Sequence, residues 1–254
     1  MGEARTRTQI ILGRDPECIF CGSPSTNRDH CPPITVFDGG HRPLGLEFGS
    51  CDACRQGTRH MDLVAGMISR LMPTPATEEG RAEVRKHIRG VINNHRELAL
   101  LFADQLRRGE EIDYGGVSAT PVRVRDNPKL NRCLNAFAAR IGFALHRELT
   151  GRRVPDGSGL VARWMSNVEL DSNEALDGFL REVGNPWTLA AGRWHTTEQF
   201  RYWGAAPSDD PEAFACFAGF RRSFGIFAAT LRVAPEMPPV TLQFVPGFLR
   251  RFEF

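Results

Sequence analysis

The sequence predicts an α+β protein with three successive textures: a small cysteine-rich module, a helical region and a C-terminal antiparallel β-rich region. Residues 15–60 are dense in Cys, Gly, Pro, Asp and His and poor in long apolar runs, so a bound metal has to stand in for part of a core there. From about Met61 to Thr150 apolar residues recur at helical spacing, and from Trp187 onward aromatic and β-branched residues alternate between turns. We therefore divide the chain into a module over residues 1–62 and a remainder, 63–254, whose role the sequence does not give.

Within the remainder, Leu63, Val64, Met67, Ile68 and Leu71 form one helical stripe, stopped by Pro73 and Pro75. Thr77 with Glu78, Glu79 and Glu83 opens a single long helix. Its stripe of Val84, Ile88, Val91, Ile92, Leu98 and Leu101 runs to about Arg108-Gly109. Gly115-Gly116 inside 112–124 suggests a hairpin. Asn127-Pro128 opens a helix over Leu130–Thr150 that Gly151 ends. Leu160 to Val183 is read as one or two short helices around Asp171. Strand-like runs follow at 199–203, 213–220, 224–233 and 240–245, with Arg221-Arg222-Ser223 as a hairpin turn. The tryptophans (Trp164, Trp187, Trp194, Trp203) all lie in this last part. They suit a sheet core better than a base-stacking platform.

Composition sets limits. Apolar residues at 41% and charged residues at 24% are ordinary globular usage, which excludes long disorder and coiled-coil arrays. No stretch approaches the ~18 apolar residues of a membrane span, and Met1–Glu17 lacks the apolar core of a signal peptide. A cytoplasmic protein is expected. The net charge of +2 falls short of a dedicated nucleic-acid binder's basic footprint. All but Lys86 and Lys129 of the 32 basic residues are arginine. Guanidinium forks grip phosphates, but this bias follows equally from genome base composition and assigns no partner.

The cysteines say more. In a chain without an export signal thiols stay reduced, so pairs point to metal before disulfide. Cys18/Cys21 and Cys51/Cys54 form two Cys-x-x-Cys knuckles able to place four thiolates around one tetrahedral Zn²⁺; the other reading is redox or buried thiols. Cys31, Cys133 and Cys216 read as small buried apolar residues. Between the knuckles lie Arg28-Asp29-His30-Cys31-Pro32-Pro33 and the turn Asp38-Gly39-Gly40.

Cys18-Ile19-Phe20-Cys21-Gly22, Asp29-His30 closely followed by proline, a Gly-Gly turn and Cys51-Asp52-Ala53-Cys54 together resemble the HNH endonuclease family in its zinc-ribbon-supported form. The resemblance covers about residues 15–62 and none of the rest. It implies a zinc-bound ββα-metal module: a hairpin carrying Asp-His, a helix packed across it, and structural Zn pinning the ends. It further implies a nuclease hydrolysing phosphodiester bonds of DNA with Mg or Mn, Asp29 as ligand of the catalytic cation and His30 as general base. The chemistry suits these residue types, because a hard cation prefers carboxylate oxygen and a neutral imidazole can activate water near pH 7.

Two family positions differ. Where Asn usually follows the last cysteine this chain has Arg55, and no Asn lies between Leu44 and Ser50 to orient His30. Gln56 or His60 could reach the cation, and Glu47 could orient His30. Otherwise Arg55, with Arg59 one turn later, could set a guanidinium in the cation's place. That last possibility gives the alternative function, a catalytically inactive zinc-stabilised module binding nucleic acid or a protein partner through Arg28, Arg55 and Arg59. For Asp29 and His30 the plain alternative is a carboxylate capping a turn and an imidazole bonded to backbone. His60 fits a solvent-facing helix residue and His41 a loop residue. His87, His95, His146 and His195 have no acidic or cysteine partner at ligand spacing.

Overall fold

The N-terminal residues, which carry little apolar periodicity, form helix α1 (Gly2–Arg14). It is anchored where Asp15 accepts hydrogen bonds from the Gly49 amide and from Arg147 Nε at 2.9 Å. The computed structural model describes residues 2–71, 78–108, 112–113, 118–119, 127–207, 210, 213–232 and 242–253.

Strands β1 (Asn27–His30) and β2 (Glu47–Ser50) pair antiparallel, Asn27 opposite Ser50 and His30 opposite Glu47. The segment joining them makes two 3-10 turns, and Gly39 and Gly40 hold the positive φ that the Gly-Gly pair permits. Arg42 ties this segment down, donating to the carbonyls of Pro32, Pro43 and Gly45 at 2.8–2.9 Å. Helices α2 (Asp52–Gly57) and α3 (Arg59–Leu71) follow, separated only by Thr58 in helical conformation. Pro73, Pro75 and Thr77 lie outside the described residues, as do Gly109 and Gly115-Gly116.

The expected long helix is instead two, α4 (Glu78–Asn94) and α5 (Arg96–Arg108), broken at His95. Asn94 explains the break: its side chain competes for a backbone group, Nδ2 donating to the Gly90 carbonyl at 2.8 Å. The short strands β3 (Ile112–Asp113) and β4 (Ser118–Ala119) pair as the hairpin reading expects.

Helix α6 (Pro128–Thr150) begins with Asn127 as N-cap and ends on Gly151 at φ 72°, both signals read from the sequence. It is buried on nearly every side from Leu130 to His146. It lies against a five-stranded antiparallel sheet ordered β11-β5-β10-β9-β8, formed by β5 (Ser158–Ser166), β8 (Phe200–Ala205), β9 (Ala215–Phe220), β10 (Phe224–Arg232) and β11 (Gln243–Phe244). Two residue pairs, β6 (Ala190–Ala191) and β7 (Trp194–His195), form a separate ribbon. Leu160–Ser166 is therefore strand, not helix: Leu160, Ala162 and Trp164 are buried with Val161 and Arg163 half-buried between them, and Met165 adds a buried apolar residue on the second face. Helices α7 (Asn167–Leu170) and α8 (Glu174–Val183) flank Asp171 as expected. Arg221 turns β9 into β10 at φ 54°. Trp164 and Trp203 are buried, whereas Trp187 and Trp194 are exposed.

One hydrophobic cluster runs through all of this. It joins Phe20, Phe48, Cys54 and Met61 of the first 62 residues to Phe137, Phe143, Phe220 and Leu249. The core thus crosses the division drawn at residue 62.

The α6 cap offers a clean stability test. Asn127 Oδ1 accepts from the amides of Lys129 and Leu130 at 3.1 and 3.2 Å. Asn127→Ala is expected to lower unfolding free energy by about 1 kcal/mol in urea titration. An unchanged midpoint would mean that burial alone fixes the start of the helix.

Candidate metal centre and the buried Asp29 network

Each knuckle is a tight turn. In the first, the Cys21 and Gly22 amides both donate to the Cys18 carbonyl, with Gly22 at φ 74°. In the second, Cys51 is the N-cap of α2 and Cys54 lies one turn inside it. The register of β1 with β2 brings the two turns together. The four sulfurs lie within 4.8 Å of one another, and Cys21 Sγ is 3.6 Å from Cys51 Sγ. Four sulfurs at about 2.3 Å from one tetrahedral ion would be spaced at close to that distance, so the cluster can hold a metal such as zinc. Its electrostatics agree: hydrogen bonding from Cys54 draws the Cys18 thiol down to about 5, while the same contact pushes Cys54 up. Sulfurs this close cannot all carry charge without a cation among them.

Side chains alternate along β1, so Asn27 and Asp29 face one way and Arg28 and His30 the other. On the first face Arg55 Nη1 donates to Asn27 Oδ1 at 3.2 Å, and Asn27 in turn donates to Asp52 at 2.6 Å. Asp29 points deeper. Both of its oxygens accept from Arg140 Nη2 at 3.0 Å, and Oδ1 also accepts the His30 amide at 2.9 Å. Arg140 comes from α6, its side chain 1% exposed, and it also donates to Asp62 on α3 and to the His30 carbonyl. The Asp29 carboxylate is thus occupied by a protein cation rather than open to solvent. Burial opposes the charge of Arg140, but Asp29 and Asp62 outweigh it and raise its pKa.

On the second face His30 Nε2 lies 3.3 Å from Glu47 Oε1. Glu47 also accepts from Arg7 Nε at 2.5 Å, with Arg28 Nη1 at 3.9 Å. The imidazole is 38% exposed. Burial and then the nearby Arg42 hold His30 below its ordinary pKa, so it is neutral near pH 7. If Nε2 carries the proton and donates it to Glu47, Nδ1 is left as an acceptor.

These contacts sort the sequence candidates. The structure brings Cys18, Cys21, Cys51 and Cys54 together, and sets Glu47 beside His30. Arg28 faces Glu47, whereas Arg55 bonds Asn27 on the opposite face of the strand, so these two arginines do not share one face. His60 packs on His95, the residue between α4 and α5, ring centroids 6.4 Å apart. Gln56 is exposed. The guanidinium at Asp29 is supplied by Arg140 and not by Arg55. Arg140 and Asp62 escaped sequence reasoning. The usable signal was a lone charge three residues after Phe137 on a stripe that is otherwise apolar. Among the described residues no helix is long and apolar enough to cross a membrane. Comparison of the chain with protein-family models, curated proteins and solved structures finds no match.

Two predictions come from the network. Arg140→Met leaves buried Asp29 and half-buried Asp62 without a counter-charge and is expected to cost about 3–5 kcal/mol at neutral pH. The loss should shrink in acid, where the carboxylates are protonated; equal losses in urea titrations at both pH values would exclude the charge argument. Asp62 is pushed up to about 7 by burial, with Arg140 opposing and Asp29 adding, from an ordinary 3.8. An acid that holds its proton more tightly folded than unfolded contributes stability below its unfolded pKa and loses it as pH rises through the folded one. Asp62→Asn should therefore flatten the fall in stability between about pH 4 and 7, by up to about 1.4 kcal/mol per pH unit.

Proposed function

We propose that the chain is a zinc-stabilised module of the HNH type that binds nucleic acid without cleaving it. The observation carrying this reading is Arg140 on both oxygens of Asp29. A catalytic Mg²⁺ or Mn²⁺ takes carboxylate lone pairs and keeps several of its waters. Here those lone pairs are engaged, the residue is 8% exposed, and a fixed guanidinium would repel a dication. The guanidinium cannot replace the cation on a scissile phosphate, because a side chain 1% exposed offers a phosphate no approach. The order hairpin, cysteine knuckle, helix supports the ββα-metal assignment, and the four-sulfur donor set suits zinc best. Arg55 and Arg59, both exposed on the helices behind the second knuckle, supply the phosphate-binding surface. Arg28 drops out, since it faces Glu47.

A second reading, a DNA-cleaving nuclease with His30 as base and Asp29 as cation ligand, is favoured by one observation. His30 is a partly exposed neutral imidazole with Glu47 beside it, and such a pair can take a proton from water. It requires Arg140 to release Asp29. Plasmid DNA incubated with Mg²⁺ or Mn²⁺, with and without chelator, separates the two. Retardation on a gel with no nicking is expected; nicking abolished by chelator and by His30→Ala would establish the nuclease instead.

The metal has its own test. Protein purified under reducing conditions should carry one zinc per chain, and Cys54→Ser should lose it. Because Cys18, Cys51 and Cys54 lie in the shared core, that variant should also melt earlier as a whole, not only at its N-terminus. Zinc-free wild-type protein would refute the metal assignment.

A further inference from the structure

The last residues of the chain do not simply trail off the sheet. The Gly247 amide donates to the Phe20 carbonyl at 2.7 Å, inside the first knuckle. The 3-10 turn that follows, Phe248–Arg251, packs on α2, and Leu249 is fully buried. Its carbonyl oxygen would lie 2.0 Å from a Cβ at position 57, so only glycine fits there. Arg250 Nη1 reaches Ser23 Oγ at 3.3 Å. The segment thus spans both knuckles, holding one by its backbone and the helix of the other by close approach.

Two exposed arginines result. Arg250 and Arg251, with Cys21, Pro246 and Gly247, line an open hollow of about 490 Å³ beside the cysteine cluster. Neither makes an ion pair with a carboxylate among the described residues, unlike neighbouring Arg153, which is engaged by Glu17 and Asp156. Arg55 is exposed on the helix this turn packs against. Guanidinium groups left without counter-charges, fixed by rigid backbone on a concave surface, are what a phosphodiester requires.

We infer that Arg250 and Arg251 bind the phosphate backbone of a nucleic acid across the cysteine cluster, extending the surface begun by Arg55 and Arg59. The inference rests on the nucleic-acid reading above and adds to it a second, C-terminal half of the contact. Phosphate contacts carry register and affinity but no base sequence, so binding here is salt-sensitive and largely independent of sequence.

The test is a salt titration of binding by the full chain, read as fluorescence anisotropy of a labelled duplex and of a labelled single strand. Inorganic phosphate serves as competitor. Each phosphate contact steepens the logarithmic fall of affinity with salt by about 0.9. Losing two should shrink the decline between about 50 and about 200 mM salt roughly twelvefold. The double variant Arg250→Ala/Arg251→Ala should show that change with zinc content and melting temperature kept. Arg193→Ala/Arg222→Ala, which removes two exposed arginines from other parts of the chain, should leave the slope alone. Millimolar inorganic phosphate should compete only weakly; strong competition would mean a free-anion site and overturn the backbone assignment. An unaltered slope with weakened zinc retention would assign both arginines to neutralising the thiolate cluster and overturn the inference. An unaltered slope with zinc kept would overturn it too, leaving the general function standing. A wild-type chain that binds neither strand would overturn both.

Discussion

A guanidinium buried between two carboxylates holds this protein's architecture in place. Arg140 leaves α6, meets Asp29 on the hairpin and Asp62 on α3, and does so at 1% exposure. Moving that charge out of water is costly, and only the two carboxylates and the His30 carbonyl offset the cost. Neither carboxylate can leave without stranding the other two groups. The position of the hairpin relative to the helical body is therefore specified by electrostatics more tightly than apolar contact alone would require. Asp62 records the tension: even with Arg140 against it, burial leaves its carboxyl reluctant to ionise.

If the module is of the HNH type, as proposed above, this bridge gives a physical reason for the loss of its chemistry. A divalent cation and a guanidinium both neutralise a carboxylate, but they differ in what else they offer. The ion exchanges, carries water and accepts a phosphate oxygen. The guanidinium is tethered, planar and already saturated by its own protein partners. Supplying the positive charge from α6 thus keeps the hairpin seated while removing the open coordination positions on which hydrolysis would depend. On that reading His30, 3.3 Å from Glu47, keeps the form of a base without a cation beside it.

The parts legible in the sequence were those written in local signals. Asn127-Pro128 and Gly151 mark α6 because capping and chain reversal act over a few residues, and the two Cys-x-x-Cys turns announce their convergence because each knuckle is short and self-contained. What stayed hidden depends on long range. Leu160–Ser166 looked helical because Met165, packed in a second cluster, is apolar as well and blurs the alternation of Leu160, Ala162 and Trp164. The helix breaks at His95 beside the competing amide of Asn94, a weak signal inside a strong apolar stripe. The pairing of Asp29 with Arg140 joins residues 111 positions apart, and no pattern within either segment names the other. Arg55 drew attention in the sequence, yet the guanidinium on Asp29 is that of Arg140.

The two faces of the hairpin finally decide where any ligand can approach the module. One face is closed by α3 and α6 through the Arg140 bridge. The other lies under α1, whose Arg7 and Arg14 engage the Glu47 side chain and carbonyl, and Asp15, just after the helix, sits so close to Gly49 that a Cβ there would meet its backbone oxygen at 2.4 Å. Glu47 and Asp15 are consequently almost sealed from solvent, while His30 and the arginines around them stay partly exposed. What remains open is the rim of the cysteine knuckles, bordered by α2 and by the C-terminal turn. A cluster of four thiolates around one dication carries a net negative charge, so an anionic partner is tolerated there only if cations outnumber it locally. The exposed guanidiniums of Arg55, Arg250 and Arg251 meet that condition, and they do so on backbone held by the knuckles themselves. Local charge, and not the nearly neutral total of the chain, therefore governs what this rim can bind.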